Sequence, residues 1–446
     1  MAQAGMASTR LLATGYFLAS IPIAAMVRLL PVVLSVAGGI ARCSATVAEQ
    51  QEPSCPSENG GTCQETSSLG DEFAMPLRWR GFPYKVSNPR FKHTIYGGVF
   101  IKDNFAAAGF EGPVDGEDWD VLWTHKPQVQ ALQKIDLQPR AGRRLVNHCF
   151  YFVAAGDKCR LAKLVNSIQA SGPATLPSFE LDDQKQLEQW QRVVLEKPDQ
   201  HWVLKPCLGG ASKGIQIRKG QEALDAQASF GRHSVAQQYL EKPYLGFGGR
   251  KFHLRLYLLV TRWAPLGAYL YDDGLVFRSA HEHRPHEQRR EARDAFSSIS
   301  QEVEALPLAD LWNVLDSAGH GTNTSLEVWG RIKEALRNLL TAGTQEMFGT
   351  FDNVKVGRSF SCFDLLGADV LLDEGLRPSV MEFNIGPNMW VDDHGAKHKE
   401  TLFKVKNPMV QQVVEWAALS TRTREPSLKD MEHIEGSTLL HFSRLI

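Results

Sequence analysis

Two short segments of the sequence carry residue types that can do chemistry. The first runs Trp202-Val203-Leu204-Lys205-Pro206, through a small-residue loop to Lys213-Gly214, and on to Ile217. A β-type run delivers Lys205. Gly209, Gly210, Ala211 and Ser212 then let the backbone approach a phosphate and aim its N–H groups at it. Lys213 adds a second positive charge. No Gly-Lys-Ser/Thr opens a helix here, so this is not a Walker loop. Taken alone, the segment reads equally well as a Gly-rich hairpin with two exposed lysines.

The second segment is acidic. Asp369 lies in the apolar run Phe363–Leu372, and Glu382 and Asn384 follow a turn in Ser379-Val380-Met381-Glu382-Phe383-Asn384. Side chains two apart on a strand share a face, so Glu382 and Asn384 project together and Asp369 pairs across to them from the preceding strand. Two carboxylates and an amide carbonyl are hard oxygen ligands suited to Mg2+, with water and nucleotide phosphates completing the shell. The bland reading, an acidic turn at a sheet edge, fits poorly with flanks this apolar, where unpaired acids are expensive to bury.

The elements that must position these groups follow from periodicity. Leu161, Leu164 and Ile168 predict a helix over Lys158–Ile168, and residues 180–196 predict a surface helix. Short strands are expected at 202–204, 215–217 and 235–239. Phe252–Thr261 is a strongly apolar strand, and Arg255 inside it requires a buried partner. An amphipathic helix is expected over Leu326–Leu340, and a strand pair at 363–372 and 379–383. The aromatic, Gly/Pro-punctuated stretch Phe73–Trp123 predicts short strands and loops. The mixture indicates α+β layers.

Composition narrows the class. The chain has 446 residues, 49 Lys+Arg against 50 Asp+Glu and 43% hydrophobic residues, which excludes a disordered chain, a collagen and a multi-span membrane protein. A net charge of -1 supplies no global field to gather nucleic acid, and no nucleic-acid partner is expected. Seven cysteines are too few for a disulfide scaffold of this size. Cys149, Cys159, Cys207 and Cys362 read as buried reduced thiols, and no Cys/His spacing suggests structural zinc.

Four regions are expected. Residues 1–45 are apolar and lack acidic residues, with Arg28 between two apolar runs and Pro22 and Pro31 inside them. An arginine at a bilayer centre costs about 2.5–3.5 kcal/mol. An uncleaved anchor, a signal peptide and an organelle transit sequence all remain open. They imply membrane association or organelle targeting, with cytosolic exposure of the folded body as one arrangement. Residues 46–72 read as a flexible linker, 73–420 as the catalytic domain and 421–446 as a C-terminal tail.

The two chemical segments, in this order, resemble those of the tubulin–tyrosine ligase-like family, which has the ATP-grasp fold. Asn147-His148 followed by Lys158 is similar to an early family signature. Val235–Pro243 is similar to the segment joining the two lobes, and Arg250–Val260 to the family's Lys-Phe-Asp-Leu-Arg strand. The resemblance covers about 145–415 and implies a nucleotide bound between two α+β lobes. It implies that Lys205 binds ATP phosphates and that Lys213 and Gly214 lie on the phosphate-covering loop. Gln237, Tyr239 and Leu240 would contact adenine, and Lys251 the ribose side. Arg255, Arg278 and Lys406 would face the substrate, and Asp369, Glu382 and Asn384 would hold Mg2+.

There are two departures. His253 stands where the family strand is acidic, among the nucleotide contacts, and a neutral imidazole carries no negative charge to balance a cation. The family's His-Leu-Thr-Asn segment is not recognisable after Arg278. The resemblance implies ATP- and Mg2+-dependent joining of a free amino acid to a carboxylate of tubulin or another acidic protein acceptor, through an acylphosphate. Arg284, Arg289, Arg290 and Arg293 are candidates for a surface receiving such an acidic tail. A nucleotide-binding pseudo-ligase that acts as a cytoskeletal scaffold and an ATP-grasp ligase of small molecules are the rival readings.

Overall fold

The computed structural model describes residues 90–93, 99–115, 118–124, 144–148, 156–168, 175–208, 214–230, 233–263, 265–283, 303–317, 323–350, 360–391, 396–422 and 427–446. The chain divides into Met1–Glu65 and Thr66–Ile446, and every described residue belongs to the second unit. The apolar segment 1–45, the linker 46–72 and the arginine run at 284–293 lie outside the described residues. Among the described residues, no helix is long and apolar enough to cross a membrane.

The large lobe is built on a nine-stranded sheet. Its strands are β1 (Phe91–His93), β2 (Val121–Trp123), β3 (Arg144–Asn147), then, beyond the small lobe, β8 (Phe252–Trp263), β9 (Leu266–Ser279), β10 (Val303–Pro307), β11 (Phe360–Leu372), β12 (Pro378–Ile385) and β13 (Phe442–Arg444). The small lobe is a four-stranded antiparallel sheet of β4 (Ser178–Glu180), β5 (His201–Pro206), β6 (Gln216–Lys219) and β7 (Ser234–Gln238), in the order β4-β7-β5-β6. The helices are α1 (Val99–Ala107), α2 (Lys158–Ile168), α3 (Gln184–Glu196), α4 (Gly220–Phe230), α5 (Leu308–Ser317), α6 (Thr324–Thr350), α7 (Ala396–Arg422) and α8 (Leu428–Thr438). This is the two-lobed α+β ATP-grasp architecture that the resemblance implies.

β8 and β11 are apolar almost throughout because both of their faces are covered. Leu254, Leu256 and Leu258 alternate with Leu366, Ala368 and Val370 against α5 and α6. Tyr257, Leu259, Phe363 and Leu365 face the opposite way, onto Val405, Met409 and Trp416 of α7. The period of two therefore sends Arg255, Gly367 and Asp369 to the α7 side. In the small lobe, Trp190 of α3 meets Trp202 of β5 edge to face at 5.9 Å, over Leu204 and Ala236. That packing holds the strand from which Lys205 projects. Asp183 caps α3 by accepting from the Lys185 and Gln186 backbone N–H groups.

Several sequence expectations are corrected. The stretch read as strands and loops contains α1, whose Phe100, Ile101 and Phe105 enter the core, with Phe105 stacked on Phe91 at 4.3 Å. Dense aromatics hid its helical period. Residues 178–180 form a strand, and the helix begins only at Gln184. The residues read as a tail include α8, closed by a Ser427–Asp430 capping box, and β13, which pairs with β9. Glu435 of α8 is buried and accepts from Thr261, Arg262 and Tyr269, tying this end to the large sheet. Cys159 and Cys207 are joined as a disulfide, with Cα atoms 5.1 Å apart, and Cys362 is disulfide-bonded as well. The reduced-thiol reading failed because 48 residues of sequence separate a pair that folding brings together.

Candidate active site

One rung of the large sheet carries the acidic cluster. Arg255 of β8 pairs with Asp369 of β11, and Asp369 pairs with Glu382 of β12. Residues opposite each other on neighbouring strands share a face, so a cation and two carboxylates stand in a row. Arg255 closes on Asp369 through two bonds, Nε to Oδ1 at 2.5 Å and Nη2 to Oδ2 at 3.0 Å. The next rung places Asn384 opposite Gly367. Asn384 Nδ2 donates to Asp369 Oδ2 at 3.1 Å. The three proposed metal ligands thus converge, as their spacing predicts. Glu382 is also held by Lys158, from the first turn of α2, at 3.2 Å.

Asp369 is buried. Burial pushes its carboxyl pKa up, but Arg255 first, then His253 and the hydrogen bonds from Arg255 and Asn384, outweigh burial and hold it below the usual range. Burial works against the Arg255 charge as well, and Asp369 outweighs it, so Arg255 remains a cation. The buried partner that Arg255 required is Asp369.

The small-lobe side has the opposite electrostatics. Lys205 is buried on β5, and its ammonium donates to Gln237 Oε1 at 2.9 Å. Among the described residues, no carboxylate pairs with it. Desolvation pushes its pKa down to about 8, with Glu382 opposing this and Lys158 adding to it. Gln237 also donates to Ser178 at 2.9 Å. Its side chain therefore positions Lys205, where the resemblance implies an adenine contact. Pro206 and Cys207 end the strand, and Gly214 (φ +75°) takes a left-handed conformation that suits glycine where the chain returns from the loop. Lys213 lies outside the described residues.

The segment between the lobes supplies Tyr239 and Leu240. Tyr239 is buried, with its N–H donated to the His201 carbonyl at 2.9 Å, and Leu240 is half-buried. Lys251 lies over the Tyr239 ring at 4.2 Å and bonds its hydroxyl at 3.1 Å. Desolvation pushes Lys251 down to about 7, with Glu241 opposing. His253 is buried, edge-on to Phe277 at 5.2 Å. Lys406 of α7 is buried too, and its ammonium donates to the Trp390 carbonyl at 2.8 Å. Burial and then the nearby Arg255 push it down to about 7. Arg278 is partly exposed and is paired with Glu304.

Sequence reasoning left out Lys158 as a partner of the acids, Glu304 as a partner of Arg278, and the positioning role of Gln237. A helix-opening lysine and a strand glutamate give no local signal, since each meets its partner only through tertiary pairing. The early Asn147-His148 pair turns out to be architectural. Asn147 exchanges hydrogen bonds with the Thr124 backbone at 2.6 and 2.7 Å, and His148 reaches the same carbonyl at 2.8 Å from a positive-φ backbone. The whole arrangement sets hard oxygen ligands beside buried ammonium groups, which suits a cation and an anion bound together.

Residues 145–426 match the model of the Tubulin-tyrosine ligase family. The human tubulin monoglutamylase TTLL4 is 24% identical over 373 residues, covering 78% of this chain and 29% of that protein. The human tubulin polyglutamylase TTLL7 is 26% identical over 383 residues, 76% of this chain and 40% of its own length. A probable tubulin polyglutamylase of Caenorhabditis elegans is 29% identical over 227 residues, 48% of this chain and 51% of its own. The chain thus spans well under two thirds of the length of these relatives.

Proposed function

The chain belongs to the tubulin-tyrosine ligase family, and from that premise we propose that it is an ATP- and Mg2+-dependent ligase joining a free amino acid to a carboxylate of tubulin or a similarly acidic protein. The observation that carries the reading is the convergence of Asp369, Glu382 and Asn384 opposite the buried Lys205. These residues fit a magnesium nucleotide. The donor set is all hard oxygen, and a buried ammonium without a carboxylate partner among the described residues is suited to a phosphate.

When bound, ATP supplies the phosphoryl group that activates the acceptor carboxylate as an acylphosphate, and Mg2+ spreads the charge on the phosphates. Asp369, Glu382 and Asn384 would hold the metal. Lys205, fixed by Gln237, would orient the phosphates, and Gly214 would let the chain turn close to them. Lys251 and Tyr239 line the nucleoside side. Arg255, already charged and aligned on β8, stabilises negative charge at the transferring group without reorganising. Arg278 and Lys406 would bind the amino-acid side. The names of the relatives point to glutamate as the amino acid and tubulin as the acceptor.

The test incubates the full chain with tubulin, Mg-ATP and a mixture of amino acids, and reads acceptor masses. An ATP-dependent increment is expected and identifies the residue added. ATP bound but never consumed, with tubulin present, would overturn the ligase reading and leave a nucleotide-binding pseudo-ligase.

A further inference from the structure

The substrate-side Arg278 is not held as Arg255 is. It lies on β9 directly opposite Glu304 of β10. Its Nε and Nη2 both donate to Glu304 Oε2, at 3.1 and 2.7 Å. Arg250, just before β8, reaches the same oxygen through Nη1 at 3.5 Å. The Arg278 guanidinium also lies 4.7 Å from the centre of the Phe247 ring. At Gly248, next in the chain, a Cβ would come within 3.4 Å of Arg278 Nη1, so glycine leaves the room the guanidinium occupies.

Among the described residues, two guanidiniums thus meet one carboxylate. The side chains are 20%, 32% and 24% exposed for Arg278, Arg250 and Glu304, so the cluster faces an opening rather than the core. Because these bonds from both arginines converge on one oxygen of Glu304, the remaining N–H groups of both arginines stay at fixed positions. Planar donors held in this way match a carboxylate. β10 follows Arg278 in the sheet and reads Val303-Glu304-Ala305-Leu306-Pro307, so its only charged side chain is Glu304.

We propose that Glu304 is a positioning residue: it holds Arg278 and Arg250 as one rigid receptor for the α-carboxylate of the incoming amino acid. This rests on the ligase reading above. The anchored carboxylate fixes the amine's approach to the activated acceptor, so the role belongs to amino-acid binding and not to nucleotide binding.

The test measures steady-state ligation to tubulin by the full chain, with L-glutamate and with glycine as separate donors, for wild type, Glu304→Gln, Glu304→Asp and Arg250→Ala. Glu304→Gln is expected to raise the KM for the amino acid about tenfold, corresponding to about 1.4 kcal/mol, while the KM for ATP stays within about twofold. Glu304→Asp recovers part of the loss, and Arg250→Ala reproduces part of it. Thermal melting of each variant separates this from loss of the fold. An active wild type whose Glu304→Gln variant keeps its amino-acid KM, or raises both KM values in parallel, overturns this role alone. A wild type that adds neither amino acid to tubulin and consumes no ATP overturns the ligase reading, and this role with it.

Discussion

The two sides of the candidate site solve the burial of charge in opposite ways. On the large sheet each acid already has a cation, Asp369 with Arg255 and Glu382 with Lys158. On the small-lobe side Lys205 sits buried against an amide, and burial drags its pKa to about 8. The acidic side is balanced before any ligand arrives. The basic side is not, and its imbalance is what a phosphate would relieve. A matched pair stabilises and pre-aligns, whereas an unmatched buried ammonium stores binding energy for an anion.

The sharpest test of this contrast is Glu382→Gln. It removes a metal ligand while keeping side-chain shape, so magnesium-dependent ATP turnover should vanish in a coupled assay with tubulin. Near-wild-type melting should show that the fold survives, and unchanged turnover would refute the metal assignment. Asp369→Asn leaves Arg255 charged and without its buried partner, and should cost about 3–5 kcal/mol in chemical denaturation. A loss below about 1 kcal/mol would mean that the pair is not matched in the sense argued here.

Lys205→Met should do the reverse. Stability should hold or rise, because a desolvated charge is replaced by an apolar chain of similar length. ATP affinity should fall about 10- to 100-fold, the loss of a charge-assisted bond of about 1.5–3 kcal/mol. A destabilised Met variant would break the comparison. The mildest effect is one of pH. Lys251 sits near 7 when buried in the free protein, against 10.5 ordinarily. Between those values the unfolded chain holds the extra proton, so this group destabilises the fold fully below about pH 7 and progressively less as pH rises. Lys205 behaves in the same way, near 8 when buried, and a phosphate beside it should restore its charge. ATP binding at pH 8 should therefore take up protons, seen as calorimetric heats that depend on the buffer's ionisation enthalpy, and at pH 6 the dependence should fade.

The parts of the site that were legible in the sequence were those with a local period. Glu382 and Asn384 share a face because they are two apart on a strand, and the apolar flanks of Asp369 place it in the interior. Arg255 required a partner because β8 holds no acidic residue to balance it. The helix over Lys158–Ile168 was bounded correctly by its apolar spacing. What stayed hidden was tertiary. Glu304 meets Arg278 across 26 residues and Cys159 meets Cys207 across 48, and no spacing rule reaches that far. Gln237 was legible as a site residue but not in its job, because that depends on which neighbour its amide faces. His253 replaces an acid, and the burial of its ring against Phe277 is compatible with packing as much as with chemistry.

Gly367 lies opposite Asn384, on the rung next to the acidic one, and a Cβ there would stand 3.0 Å from Arg255 Cδ and 3.1 Å from Pro387 Cβ. Strand interiors usually disfavour glycine, yet here the missing side chain is the space across which Arg255 lies to reach Asp369. The nearest of those atoms belongs to a flexible side chain, which can tilt away without disturbing the backbone. One added methyl group would therefore displace the arginine before it damaged the sheet. In a duplicated copy of this gene, drift at that single codon would silence the chemistry while the protein still folded, leaving a descendant free to keep its surface for other uses.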